Sequence, residues 1–173
     1  MKIFGLAGWS GSGKTSLLAR LLPELTKGGR LVSTIKHAHH RFDVDQPGKD
    51  SYTHRQAGAY EVMVLSENRW ALMHEYREPT EPDLAQSVAR MTDVDLVLVE
   101  GFKTYPHPKL EVHRSSLGKP FLYGGDRHIV AVASDTPMSP VKIPLFDLAD
   151  TGAIAAFILD HCGLATASAE GTP

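Results

Sequence analysis

Eight consecutive residues near the start of the chain carry the clearest chemical signal. Residues 8–15 read GWSGSGKT and fit the pattern G-x-x-x-x-G-K-S/T at every fixed position. The glycines let successive backbone N–H groups point inward at a polyphosphate, and a following helix adds the positive end of its dipole. Lys14 supplies a charge for the β- and γ-phosphates, and the Thr15 hydroxyl is placed to bind the Mg²⁺ that bridges them. This P-loop predicts a nucleoside triphosphate site.

A second polar segment follows the next apolar run. Residues 31–36 read LVSTIK, a β-rich stretch that completes a strand–loop–helix–strand unit with the P-loop. In open α/β sheets, ligands bind beyond the carboxyl ends of the strands, so Lys36 and His37 are expected at the same edge as the P-loop. The candidate nucleotide-binding residues are Gly8, Ser10, Gly11, Ser12, Gly13, Lys14, Thr15, Ser16, Lys36 and His37.

Residues 36–51 form the densest polar stretch of the chain. Asp43 and Asp45 are candidates for binding Mg²⁺ or for positioning a water molecule, because Mg²⁺ prefers oxygen ligands. His37, His39 and His40 could instead bind zinc, although no cysteine completes a tetrahedral set. A solvated loop without a specific role is a third interpretation.

An acid follows a buried strand in residues 95–103, DLVLVEGFK. Four consecutive aliphatic residues indicate a strand that is buried on both faces, and Glu100 stands at its carboxyl end, where P-loop proteins place their Walker B acid. Glu100 is therefore a catalytic and metal-binding candidate, either through water-mediated contact with Mg²⁺ or by orienting an attacking water. Asp43 is the second candidate for both roles. An acid that only caps a loop is the alternative for Glu100.

The elements that must position these residues follow from apolar periodicity. Residues 2–7 and 129–133 have the pattern of buried strands, and the leucines of residues 16–25 recur at helical spacing. Residues 62–65 and 70–74 predict an antiparallel hairpin, and helices are expected over 83–91 and 151–161. The fold class is α/β, a P-loop NTPase with a mostly parallel sheet flanked by helices and a small antiparallel addition. Residues 1–163 are expected to form one nucleotide-binding domain, followed by a disordered tail over 164–173.

Composition excludes several classes of protein. The 173 residues carry 18 basic and 20 acidic side chains, a formal net charge of −2 without any long run of like charge, so nucleic-acid binding has no electrostatic support. The longest apolar stretches are too short to cross a bilayer. The single cysteine, Cys162, excludes an internal disulfide and fits a cytoplasmic setting.

Five segments of the chain form a recognisable set: the P-loop, the run over 36–51, AGA at 57–59, VEGFK at 99–103 and KLEVHR at 109–114. Taken together they resemble the MobB family of molybdopterin-guanine dinucleotide biosynthesis adaptors, and the resemblance spans about residues 1–160. It implies a GTP-binding, dimeric protein with slow intrinsic hydrolysis that assists the guanylyltransferase MobA in attaching GMP to molybdopterin. Molybdopterin itself is a further candidate ligand.

The sequence leaves alternatives on two points, which residue would read a guanine base and whether the protein is an adaptor or a kinase. The chain has no N-K-x-D sequence for reading guanine, but Asp135 follows the strand over 129–133 and could accept hydrogen bonds from the guanine N1 and N2 groups; a plain turn cap is the equal alternative. The alternative function is a kinase that moves the γ-phosphate onto a small metabolite, with Asp43 or Glu100 as base. Kinase lids are commonly rich in arginine, and residues 103–127 contain only Arg114 and Arg127, which favours the adaptor.

Overall fold

A computed structural model describes residues 1–38, 42–78, 80–137 and 142–165. The chain divides into two compact units, a larger one of residues 1–37 and 84–173 and a smaller one of residues 38–83. From residue 166 onward, the tail that we expect to be disordered lies outside the described residues.

In its described residues, the larger unit contains six strands and three α-helices. Its strands are β1 (Lys2–Ala7), β2 (Val32–Lys36), β5 (Leu96–Glu100), β6 (Lys109–His113), β7 (Ile129–Ser134) and β8 (Leu145–Asp147), and its helices are α1 (Lys14–Leu25), α3 (Leu84–Ala89) and α4 (Thr151–His161). The smaller unit contains α2 (Asp50–Gln56) and the strands β3 (Glu61–Leu65) and β4 (Trp70–His74).

The six strands form one sheet in the order β2-β5-β1-β6-β7-β8, and every neighbouring pair is parallel. The strand before the P-loop is therefore central, and the strand that ends in Glu100 lies beside it. The predicted α/β class and parallel sheet are confirmed, as is the antiparallel hairpin, which forms a two-stranded sheet of its own. The sequence reasoning did not assign β6 as a strand.

Both faces of the parallel sheet are covered. On one face, Phe4 and Leu98 pack with the buried leucines of α1 and with Ile154 and Ile158 of α4. On the other, Val97 and Val99 pack with Leu84 of α3 and with Phe102. Alternate residues of a strand point to opposite faces, so the continuous apolar run of β5 is what a strand covered on both sides requires.

Strand β6 buries ionisable side chains inside this sheet. Lys109 is almost fully buried, and its Nζ donates to Asp126 Oδ2 at 2.7 Å and to the carbonyl of Lys103 at 3.0 Å. Glu111 is fully buried and accepts from the backbone N–H groups of Leu122 and Tyr123 at 2.8 and 2.9 Å. Buried charges are tolerated when they are paired and hydrogen-bonded in this way, and here they attach the segment after β6 to the sheet.

The smaller unit is organised around one arginine. Arg55 of α2 donates to Asp43 at 2.7 and 2.9 Å and to Glu75 at 3.0 Å, and its Nε lies 3.6 Å from Asp45 Oδ2. These contacts join the loop before α2 to the residue that follows β4. In the hairpin, Val62 is the buried apolar side chain, whereas most of its other apolar side chains are exposed.

Candidate functional site

The backbone of the P-loop has a shape that only glycine permits at its ends. Gly8 has φ +146°, and a Cβ atom there would lie 2.5 Å from the carbonyl oxygen of Val112 on the neighbouring strand. Gly13 has φ +91° and precedes the first residue of α1. The sequence therefore places a tight turn between a buried strand and a helix N-terminus, where free backbone N–H groups and the helix dipole favour an anion.

Lys14 is the first residue of α1, directly after this turn. Its Nζ donates to the carbonyl oxygens of Gly8 and Trp9 at 3.0 and 2.9 Å. Burial lowers the pKa of Lys14; the negative charge of Glu100 opposes this effect, and the nearby cations Lys103 and Lys36 add to it. The ammonium is thus held at the loop by two neutral acceptors, and an anionic oxygen in their place would add the attraction of opposite charges to the hydrogen bond.

Thr15 and Glu100 meet at the same place. Thr15 Oγ1 donates to both carboxylate oxygens of Glu100, at 2.9 and 3.0 Å, and Lys36 Nζ lies 4.0 Å from Glu100 Oε1. Thr15 and Glu100 thus bring together a hydroxyl and a carboxylate, oxygen ligands of the kind that Mg²⁺ prefers. The ion would screen the negative charge of a phosphate group, and Thr15 and Glu100 would hold it.

The end of β5 is fixed against the end of β2. The backbone N–H of His37 donates to the carbonyl of Glu100 at 2.8 Å, and a Cβ atom on Gly101 would lie 2.8 Å from His37 Cβ. The His37 ring is 4.5 Å from the ring of Phe102, which has a positive φ of 47°. His37 therefore lies at the predicted edge, with its ring against Phe102.

These residues surround an open pocket of about 450 Å³, which we call the cradle. It is lined by eight residues, namely Ser10, Gly11, Gly13, Lys14, Thr15, Ser16, Lys36 and Glu100. All of them are among the candidates taken from the sequence. Gly8 and Ser12 are buried beneath the loop and do not line the cradle. The carbonyl of Ser12 accepts a hydrogen bond from Arg114.

Arg114 is a site residue that the sequence reasoning did not assign. Its Nε donates to the carbonyl of Ser12 at 3.2 Å, and its Nη1 lies 3.7 Å from Asp135 Oδ2. Asp135 Oδ1 also accepts from the backbone N–H of Ser115 at 3.0 Å, which with Arg114 lowers the pKa of the Asp135 carboxyl. Arg114 follows β6 directly. It belongs to the KLEVHR run, which gave a signal of family resemblance but none of its role.

A second pocket of about 310 Å³ continues from the cradle at Ser16. It is lined by Ser16, Arg20, Arg114, Asp135, Asp147, Leu148 and Ala149. Arg20 is held there by donating to the carbonyl of Leu148 at 2.9 Å. Two arginines, Arg20 and Arg114, thus add positive charge beside the cradle.

Asp43 and Asp45 belong to the smaller unit and contact Arg55, as described above. Hydrogen bonding to Arg55 lowers the pKa of Asp43, so this carboxyl is ionised at neutral pH. Its proposed roles with Mg²⁺ or water stay predictions. Of the histidine run, His39 and His40 lie outside the described residues.

The described ranges contain neither of two other kinds of functional element. Within residues 1–38, 42–78, 80–137 and 142–165, no group of three or more His, Cys, Asp or Glu side chains is arranged to hold a metal ion. No helix in those ranges has the length and apolar character needed to cross a membrane.

The parallel sheet, the P-loop after its central strand and the acid after the neighbouring strand define a protein of the P-loop NTPase-like fold. Residues 3–135 match the family described as MobB, molybdopterin guanine dinucleotide synthesis protein B, and the chain belongs to that family.

Similar proteins agree with this assignment. The chain is 44% identical over 161 residues to the molybdopterin-guanine dinucleotide biosynthesis adapter protein of Escherichia coli (strain K12), covering 91% of each chain. It is 45% identical over 157 residues to the protein of the same name from Haemophilus influenzae, covering 90% of this chain and 86% of the other. A crystal structure of molybdopterin-guanine biosynthesis protein B superposes with a TM-score of 0.74 at 28% identity, covering 93% of this chain and 99% of that one.

Proposed function

We propose that this protein binds GTP with Mg²⁺, hydrolyses it slowly, and acts as an adaptor in the attachment of GMP to molybdopterin. The observation that carries the proposal is the contact between Thr15 of the complete P-loop and Glu100 at the end of β5. It supports the triphosphate and Mg²⁺ because both groups expected to bind the ion share one position, next to Lys14.

The adaptor role is supported by family membership and by the names of the relatives. An adaptor acts with a second protein, and we propose a guanylyltransferase of the MobA type as that partner. Molybdopterin is a candidate ligand of the same assembly. Slow hydrolysis is consistent with a pocket that is open to solvent, because a fast phosphoryl-transfer site excludes bulk water when it closes.

The homodimer is a further part of the proposal, supported by the hairpin of the smaller unit. Cross-strand partners point to the same face of a hairpin, so Met63 and Leu72 share one face with Leu65 and Trp70. All four side chains are exposed, from 45% for Leu72 to 70% for Leu65. A two-stranded sheet is marginal on its own, and an exposed apolar face of this kind is typical of a protein interface.

A competition titration tests the nucleotide assignment. The purified protein is titrated with GTP, ATP, GDP and ADP in the presence of Mg²⁺, and we expect GTP to bind most tightly. Removing Mg²⁺ with a chelator is expected to weaken GTP binding more than GDP binding, because the ion bridges the β- and γ-phosphates.

Equal affinity for ATP and GTP would contradict the guanine assignment. In that case transfer of the γ-phosphate to a small metabolite becomes the better explanation of the same cradle. Adding the guanylyltransferase and measuring formation of the guanylated product, with and without this protein, tests the adaptor role separately from nucleotide binding.

A further inference from the structure

A third pocket lies at the carboxyl ends of the last two strands. It has a volume of about 230 Å³ and is lined by Ser134, Asp135, Thr136, Pro137, Leu145, Phe146 and Asp147. It shares Asp135 and Asp147 with the second pocket, which in turn shares Ser16 with the cradle. The three pockets therefore form a path that leads away from Lys14 past Arg114 to the end of β8.

This path has the order of parts that a nucleotide needs. With the phosphates in the cradle, the path would take the ribose and base of a nucleotide. The third pocket is smaller than the roughly 300 Å³ at which drug-sized ligand sites begin, a size that suits a single base. Pro137 and Leu145 provide apolar surface for the faces of a base, and two carboxylates, Asp135 and Asp147, also line the pocket.

The two carboxylates come from adjacent strands but have different partners. Ser134 is opposite Asp147 in the parallel pairing of β7 and β8, so Asp135 and Asp147 emerge side by side. Asp135 is already bound to the backbone N–H of Ser115 and lies near Arg114. Turning it toward a base would cost those interactions.

Asp147 has more capacity to accept hydrogen bonds. Its Oδ1 accepts from the backbone N–H of Ala149 at 2.8 Å, which orients the carboxylate, and its side chain has no cationic partner among the described residues. The residue is exposed, so a ligand can reach it. A carboxylate with two oxygens offers about four acceptor positions, and three of those are not used by Ala149.

We propose that Asp147 reads the guanine base by accepting hydrogen bonds from its N1–H and N2–H₂ groups. Guanine presents these two donors side by side, whereas adenine presents an acceptor at N1, which a carboxylate repels. The proposal rests on the proposed function, in which the nucleotide is GTP. It assigns base recognition to Asp147, whereas the sequence pattern suggested Asp135.

The test uses Asp147→Asn, with Asp135→Asn as the matched control. Xanthine has a carbonyl at C2 where guanine has its amino group, and xanthosine triphosphate (XTP) is the nucleotide that carries it. Asparagine keeps an oxygen for the N–H of Ala149 but offers an amide N–H donor to that carbonyl. We expect Asp147→Asn to bind GTP about 10- to 100-fold more weakly, the scale of a charge-assisted hydrogen bond, and to bind XTP more tightly than the parent does. The Asp135→Asn variant is expected to retain the preference for GTP over XTP.

The gain of XTP binding separates lost recognition from lost folding, since an unfolded variant cannot gain an affinity. If the parent prefers GTP and Asp147→Asn keeps that preference, the assignment of Asp147 is wrong while the proposed function stands. If Asp135→Asn instead shifts the preference to XTP, base recognition belongs to Asp135. If the parent itself does not prefer GTP over ATP, both the guanine part of the proposed function and this inference are wrong.

Discussion

The hydroxyl of Thr15 donates to both carboxylate oxygens of Glu100, a residue 85 positions further along the chain. The parallel pairing of β1 and β5 brings them together, because Leu6 lies opposite Glu100 and the P-loop begins directly after β1. The position of the acid is therefore set by the register of two central strands. A rigid sheet is a better support for a phosphate site than a loop would be.

Replacing Glu100 by Gln should separate binding from hydrolysis. The substitution preserves size and keeps an acceptor for Thr15 but removes the negative charge. We expect single-turnover GTP hydrolysis to fall by about 10²-fold or more, the contribution of one positioned catalytic group, while equilibrium binding falls much less. Asp95→Asn is the control, since this acid stands just before β5 at its other end and accepts from the backbone N–H of Leu31 at 2.8 Å.

Unchanged hydrolysis in Glu100→Gln would show that Glu100 has only a structural role, as the acceptor of the Thr15 hydroxyl. The role of positioning water would then pass to Asp43 or Asp45. Measuring single-turnover GTP hydrolysis by Glu100→Gln and Asp95→Asn in the presence of the guanylyltransferase would show whether the partner supplies part of the hydrolytic site.

Replacing Lys14 by Ala tests the cradle itself. The ammonium contacts two backbone carbonyls of its own loop, so its loss should leave the fold intact while weakening triphosphate binding. Hydrogen bonds to charged groups contribute about 1.5–3 kcal/mol, which corresponds to a roughly 10- to 100-fold weaker affinity by calorimetry. Lys27→Ala, at an exposed lysine just after α1, is the matched control. An affinity equal to that of the parent would mean that the triphosphate binds elsewhere.

Local patterns predicted the parts of the site that depend on consecutive residues. The P-loop, the strand before it and the helix after it follow one another in the sequence, and the aliphatic run before Glu100 is continuous. Strand β6 was not assigned, although Lys109, Glu111 and His113 alternate with Leu110 and Val112 at the two-residue period of a strand. That period predicts one face exposed to solvent, but here partners distant in sequence bury the charged side chains.

The third pocket, which contains Asp135 and Asp147, could not be predicted from consecutive residues in the same way. Asp135 was visible because it follows a clear strand, whereas β8 has only three residues and gives a weak periodic signal. That Asp135 is bound to Ser115 and Arg114, and that Asp147 is not paired with either, depends on tertiary contacts. Sequence spacing locates an edge of the sheet, but the partners of each side chain there require the folded structure.

His107 gives the fold a dependence on pH. Its ring is buried, Nδ1 lies 3.1 Å from the carbonyl of Tyr105, and Nε2 faces Gly5. Burial, with a smaller contribution from the charge of Lys109, lowers the pKa of His107 to about 4. Because the unfolded chain takes up the proton first, the stability contributed by the neutral ring is complete above about pH 6.5 and is lost as the pH falls toward 4.

We expect the free energy of unfolding of the parent to fall more between pH 7 and pH 5 than that of His107→Gln, by about 1 kcal/mol after allowing for solvent screening. Urea unfolding at the two pH values measures this difference. His54→Gln, at an exposed position, controls for the loss of one imidazole. Parallel behaviour of the parent and His107→Gln would show that His107 is protonated in the folded protein at pH 5.

If the exposed apolar face of the hairpin forms the dimer interface, a negative charge introduced there should prevent dimerisation. Trp70 is 62% exposed and stands opposite Leu65, so Trp70→Glu places a carboxylate among apolar side chains without disturbing a buried one. If this face joins two copies of the chain, sedimentation velocity should show the parent as a dimer and Trp70→Glu as a monomer, because burying an unpaired charge is costly. Leu31→Glu, at an apolar residue of the larger unit that is 61% exposed, is the control and should remain dimeric. A parent that sediments as a monomer would contradict the proposed homodimer, and a dimer that survives Trp70→Glu would place the interface away from this face.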